Sequence, residues 1–69
     1  MRKYGIFEVS AGDLVTIRTP QGQTVSGRTN PLLMFDTHCV INLGGRYGRP
    51  GIASADNIVA VSPRRPRHA

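Results

Sequence analysis

Tryptophan is absent from these 69 residues, cysteine appears once, and aromatic residues make up only 6%. A lone thiol, Cys39, cannot close an internal disulfide, so a stapled secreted scaffold is excluded and a reducing compartment suits the chain. One cysteine and two distant histidines, His38 and His68, fall short of a four-ligand zinc site. His38 and Cys39 are adjacent, so on a strand they point to opposite faces and cannot act as a nucleophile and its base. The four acidic residues, Glu8, Asp13, Asp36 and Asp56, are scattered and form no pair suited to acid–base work. No run reaches the length of a membrane-crossing helix, and no apolar leader opens the chain. These absences point to a soluble cytoplasmic protein, not an enzyme, with no cofactor, no metal and no membrane partner.

What is present is charge, unevenly placed. The formal net charge is +5 and the isoelectric point about 10.8. Arg2 and Lys3 supply two of these charges, and Arg64, Arg65 and Arg67 the other three. Between them Arg18, Arg28, Arg46 and Arg49 are matched in number by the four carboxylates. The sequence therefore divides into a domain, residues 1–62, that is neutral from Tyr4 to Val61, and a basic tail, residues 63–69. The tail, Pro63-Arg-Arg-Pro-Arg-His-Ala69, reads as disordered, because its prolines favour extension and its charges repel.

Eight glycines and five prolines interrupt every stretch long enough to carry a helical apolar face. Short strand signals take their place. Tyr4–Val9 reads as a first strand, Leu14–Thr19 as a second and Gln23–Arg28 as its partner across Pro20-Gln-Gly22. Thr29-Asn-Pro31 is expected to break the chain. Leu32–Phe35 is an apolar run, His38–Leu43 the strongest strand, Arg49–Ala53 a short one, Ser54–Asn57 a helical turn and Ile58–Val61 the last strand. Val15, Ile17, Val25, Ile41, Ile52 and Val59 are the expected core, with Cys39 buried beside them and His38 exposed. Asp13 and Asp56 sit in turns where their side chains are expected to accept backbone N–H groups.

Two stretches carry a resemblance. Gly12-Asp13-Leu14-Val15-Thr16-Ile17 resembles the Gly-Asp-x-Val-x-Ile opening of Src-homology-3-like (SH3-like) barrels and KOW-type modules, whose turn aims two apolar side chains inward. Gly48–Val59 resembles their closing segment, a Gly-x-x-Gly strand, one helical turn and Asn-x-Val. The implied fold is all-β: a small five-stranded SH3-like antiparallel barrel with one short 3-10 turn. The layout is also similar to that of type II dihydrofolate reductases, which are tetrameric. Their Gln-Ile-Tyr pore strand has no match here, and Pro50-Gly-Ile-Ala53 offers neither amide nor phenol in its place. With no Trp, and Ile58 where signalling barrels carry Tyr, an aromatic groove for proline-rich peptides is not expected either.

Two surfaces remain as functional candidates. Arg46 and Arg49 flank Tyr47 on the glycine-rich Gly44–Arg49 tip, a combination able to meet phosphates and stack on an unpaired base. With Arg2, Lys3, Arg64, Arg65 and Arg67 they form the expected nucleic-acid contacts. Leu32, Leu33, Met34 and Phe35 cannot all face one small core, so this segment is the expected interface of a homo-oligomer, the alternative being a plug curled over an open barrel end. The function expected is a non-catalytic, self-associating module that contacts nucleic acid. The alternative is a protein–protein assembly module, and the compact layout suits an accessory protein of a plasmid or mobile element.

Overall fold

The structure, a computed structural model, describes residues 1–44 and 48–64. The described residues are all-β and contain no helix. Seven strands follow one another: β1 (Arg2–Tyr4), β2 (Phe7–Val9), β3 (Leu14–Arg18), β4 (Thr24–Met34), β5 (His38–Asn42), β6 (Pro50–Ser54) and β7 (Ile58–Ser62). Five of them form an antiparallel sheet in the order β6-β5-β4-β3-β7, and β1 and β2 form a separate two-stranded hairpin.

The segment Tyr4–Val9, expected as one strand, is this hairpin with its neighbours. Gly5, at φ 64°, turns the chain back so that Tyr4 pairs with Phe7. A residue with a side chain rarely adopts that backbone conformation. The turn lets Tyr4 and Val9 both face the core, where each is buried. The Tyr4 hydroxyl donates to the Phe35 carbonyl at 2.7 Å, with the His38 carbonyl 3.2 Å away as a second acceptor. Arg2 forms an ion pair with Asp36 beside it. The hairpin is thus fastened to the turn between β4 and β5, while β2 packs along β7.

The expected break at Thr29–Pro31 does not occur: β4 runs through it for 11 residues. Its first half pairs with β3 and its second half with β5, and the register slips between Thr29 and Met34. Pro31 falls inside this bulge, where its missing N–H costs no ladder bond. At the bend, Gly27 is buried against β5, and a Cβ there would lie 2.1 Å from the Asn42 carbonyl oxygen. Only glycine permits that approach.

The core consists of Tyr4, Val9, Val15, Ile17, Cys39, Ile41, Ala53 and Ile58, with Val25, Met34 and Val61 packed against it. Val15, Ile17, Ile41 and Cys39 are buried as expected, and Val25 is half-buried. Ile52 and Val59 are not: they are 59% and 39% exposed. Both expectations were one residue out of phase. Gly51 and Ala53 face inward on β6, which turns Ile52 to solvent, and Ile58 rather than Val59 points inward on β7. The expected 3-10 turn is a single hydrogen-bonded turn, Asn57 N–H donating to the Ser54 carbonyl at 3.2 Å.

Burial raises the pKa of both Tyr4 and Cys39; nearby Cys39 raises that of Tyr4 further, whereas the Tyr4 hydroxyl partly offsets the rise at Cys39. Both groups are therefore held in their neutral forms. A raised acid pKa contributes stability that is complete below the unfolded values, 9.0 for the thiol and 10.0 for the phenol, and is lost as pH climbs through the folded values. Urea unfolding should show constant stability from neutrality to about pH 9 and a decline above it. Tyr4→Phe should be less stable at pH 7 by about 1 kcal/mol, the loss of one buried hydrogen bond, and should decline less steeply under alkali. An identical alkaline decline in wild type and Tyr4→Phe would contradict this assignment.

Candidate nucleic-acid interface

The cations are best followed along one row of the sheet. Ser62 pairs with Leu14, Leu14 with Arg28, Arg28 with Asn42 and Asn42 with Pro50. Residues directly opposite in antiparallel strands project from the same face. Val15, Ile17, Cys39 and Ile41 point inward on these strands, so this row lies on the outer face. Arg28 is therefore presented at the middle of the row, with Arg49 just before Pro50 at one end and Arg64 two residues beyond Ser62 at the other. Strands are about 4.8 Å apart, so the backbones of Arg28 and Arg49 are separated by about 10 Å.

Arg64 is held there by the side chain of Asp13. Asp13 is buried, at 2% exposure. Its carboxylate accepts the Ser10 N–H at 2.9 Å and the Arg64 N–H at 3.1 Å. Its carbonyl accepts both the backbone N–H and the hydroxyl of Thr29, each at 2.9 Å, and Gly12 N–H returns a bond to the Thr29 carbonyl. Gly12, at φ 85°, holds a backbone conformation that residues with side chains rarely adopt, and the Arg64 side chain lies 2.9 Å from where a Cβ would stand. The Arg28 guanidinium makes a long contact, 3.4 Å, to the Gly12 carbonyl. One turn thereby places two arginines side by side. The expected turn role of Asp13 is present and reaches further than its own loop.

Asp56 does not play the matching role. It is Asn57 that caps β6: its Oδ1 accepts the Ser54 N–H at 2.7 Å and its Nδ2 donates to the Ile52 carbonyl at 2.8 Å. Its own carbonyl accepts the Arg18 N–H at the end of β3. A single asparagine thus satisfies the edge of β6 and ties it towards β3, which explains the Asn in the closing motif.

The N-terminal cations lie near carboxylates. Arg2 is paired with Asp36, and Lys3 stands directly across from Glu8 in the hairpin. Arg28, Arg49 and Arg64 have no carboxylate within ion-pair distance among the described residues. Arg18 is exposed at the far end of β3. Arg46, Tyr47, Arg65 and Arg67 lie outside the described residues. The tip that contains two of them is closed by Leu43 N–H donating to the Arg49 carbonyl at 2.8 Å, with Gly44 and Gly48 at positive φ on either side.

The apolar segment divides as the single-core argument requires. Met34 packs on the core, whereas Leu32, Leu33 and Phe35 are 87%, 36% and 44% exposed. Phe35 leans on the His38 ring, centroids 5.0 Å apart. His38 is half-buried rather than exposed, and its Nδ1 lies 2.9 Å from the Thr37 hydroxyl. Among the described residues no helix is long and apolar enough to cross a membrane, and no group of three or more His, Cys, Asp or Glu is gathered. Comparison with known protein families, curated proteins and solved structures finds no match, so the geometry alone carries the functional reading.

Proposed function

We propose that this chain is a small SH3-like barrel acting as a non-catalytic binding module that holds nucleic acid at the Arg28–Arg49–Arg64 end of its sheet. The barrel reading is supported by the strand order β6-β5-β4-β3-β7, by the long bent β4 shared between two halves, and by Asn57 linking β6 to the end of β3. The hairpin β1–β2 then lies across the remaining opening, anchored through Tyr4. The observation that carries the nucleic-acid reading is the separation of charge in space. The end cations Arg2 and Lys3 stand beside carboxylates, whereas among the described residues the guanidinium groups of Arg28, at the middle of the outer row, and of Arg49 and Arg64, near its ends, form no ion pair. Arginine presents paired N–H donors suited to phosphate oxygens.

The test is the salt dependence of duplex binding. Three phosphate contacts give a log–log slope of about −3, at about −0.9 per contact. Arg28→Ala and Arg64→Ala should each flatten it by about 0.9, and Arg2→Ala should leave it nearly unchanged. A slope that responds to Arg2→Ala and ignores Arg28→Ala would return the site to the N-terminus. Binding undetectable at low salt would favour the assembly-module reading.

A second reading, self-association, is favoured by one observation: Leu32 and Leu33 on the β4 bulge and Phe35 just after the strand are all exposed apolar residues, of the kind that mark contact surfaces. Leu32 is almost fully solvent-exposed in one chain, so Leu32→Glu should change its folding stability by no more than about 0.5 kcal/mol. In sedimentation, wild type should show a concentration-dependent dimer or higher oligomer and Leu32→Glu a monomer, since burying an unpaired charge in an interface is strongly unfavourable. A monomeric wild type over a wide concentration range would overturn this reading.

A further inference from the structure

The β4 bulge does more than expose leucines. It stands away from the outer face of β5 and leaves a groove of about 170 Å³ between the bulge, β5 and the start of β6. Leu33, Val40 and Pro50 supply its apolar walls, and Asn30, Asn42 and Arg49 its polar groups. None of the residues lining it is acidic.

The polar groups share a property that the sequence does not display. The Asn30 side-chain oxygen is already used, accepting the Leu32 N–H at 2.9 Å within the bulge. The Asn42 side-chain oxygen is likewise used, accepting the Gly44 N–H at 3.1 Å at the base of the tip. These bonds orient both amides and leave each Nδ2 as a donor. Arg49 only donates. The groove thus sets N–H donors and one cation beside apolar walls, with no acidic lining residue, an arrangement complementary to a flat, acceptor-bearing, anionic ligand. Its volume is well under the roughly 300 Å³ at which sites for drug-sized molecules begin, which suits one ring system rather than a whole cofactor.

We infer that this groove receives one unpaired nucleobase of a single strand, with its carbonyl oxygens facing the asparagine amides and its phosphate at Arg49. This inference rests on the nucleic-acid reading and adds a preference to it. The arginine row alone does not distinguish duplex from single strand, whereas a base can enter the groove only when it is unpaired. The base-reading surface is then the outer side of β4–β5, and Arg28 and Arg64 hold the backbone that leads to it.

The experiment measures fluorescence anisotropy of the full chain with two labelled probes, a short oligothymidylate and a mixed-sequence duplex of matched length. Val40→Glu sets a carboxylate in the groove, from a strand position facing away from the core. It should weaken oligothymidylate binding about tenfold and duplex binding, which shares only Arg49 with the groove, by less than about threefold. Leu33→Ala removes a wall without adding charge and should lower oligothymidylate affinity in the same direction by about threefold or more. It also serves if thermal melting shows that Val40→Glu does not fold. Equal losses for both probes, or no loss for either variant, would overturn the groove assignment while leaving the nucleic-acid reading standing. Failure of wild type to bind either probe would overturn both.

Discussion

A buried carboxylate at the corner between β2 and β3 organises most of what surrounds it. Asp13 cannot reach water, so its lone pairs must be met from within the protein. Meeting them recruits the turn at Ser10 and the chain after β7, while its own backbone carbonyl fixes Thr29 at the bend of β4. Removing the side chain would strand donors that belong to two separate parts of the chain. Each lost bond to a charged group is worth about 1.5–3 kcal/mol, a large share of the stability available to a domain this small. The same corner places Arg64 against Gly12 and next to Arg28, so the requirement that stabilises the fold also builds its basic end.

The bend in β4 is the second constraint, and it comes from close backbone approach rather than from side-chain packing. Gly27 lets β4 pass against the Asn42 carbonyl, and beyond Thr29 the strand carries extra residues that its partner β5 cannot match. Those residues are held outward by the Asn30 cap. Three apolar side chains, Leu32, Leu33 and Phe35, are stranded at the surface as a consequence, and the groove beside Val40 and Arg49 opens under them. Asn57 does related work at the other edge. By occupying the Ser54 N–H and the Ile52 carbonyl, it satisfies polar groups that an edge strand would otherwise present to a neighbouring chain.

The all-β class was legible because glycine and proline deny every helix while β-branched residues recur in short runs, and most strands lie within a residue or two of their expected positions. Phase was harder to read. On β6, Ile52 is the more apolar residue, but Gly51 and Ala53 are small enough to face a crowded interior, so size and not hydropathy chose the inward side. The N-terminal hairpin was missed because Gly5-Ile6 is a weak turn signal and Tyr4–Val9 contains enough strand formers to read as one element. Charge pairing was not legible for a different reason. Counting cations against carboxylates along the sequence leaves the ends basic and the body neutral, whereas folding sets Asp36 and Glu8 beside Arg2 and Lys3. Arg28 emerges as a functional candidate only from this spatial pairing. The available signal was its outward phase opposite Leu14, which requires the strand register to be known.

The position of Arg64 distinguishes a fold-built basic end from a cluster of unattached charges. Amide hydrogen exchange of the intact protein, resolved at Arg64 by NMR, reports it directly, because this N–H is bonded to the Asp13 carboxylate. The account predicts that the Arg64 amide exchanges well below the unstructured rate in wild type and reaches that rate in a still-folded Asp13→Ala. An Arg64 amide that exchanges in wild type as fast as an unstructured chain would contradict it.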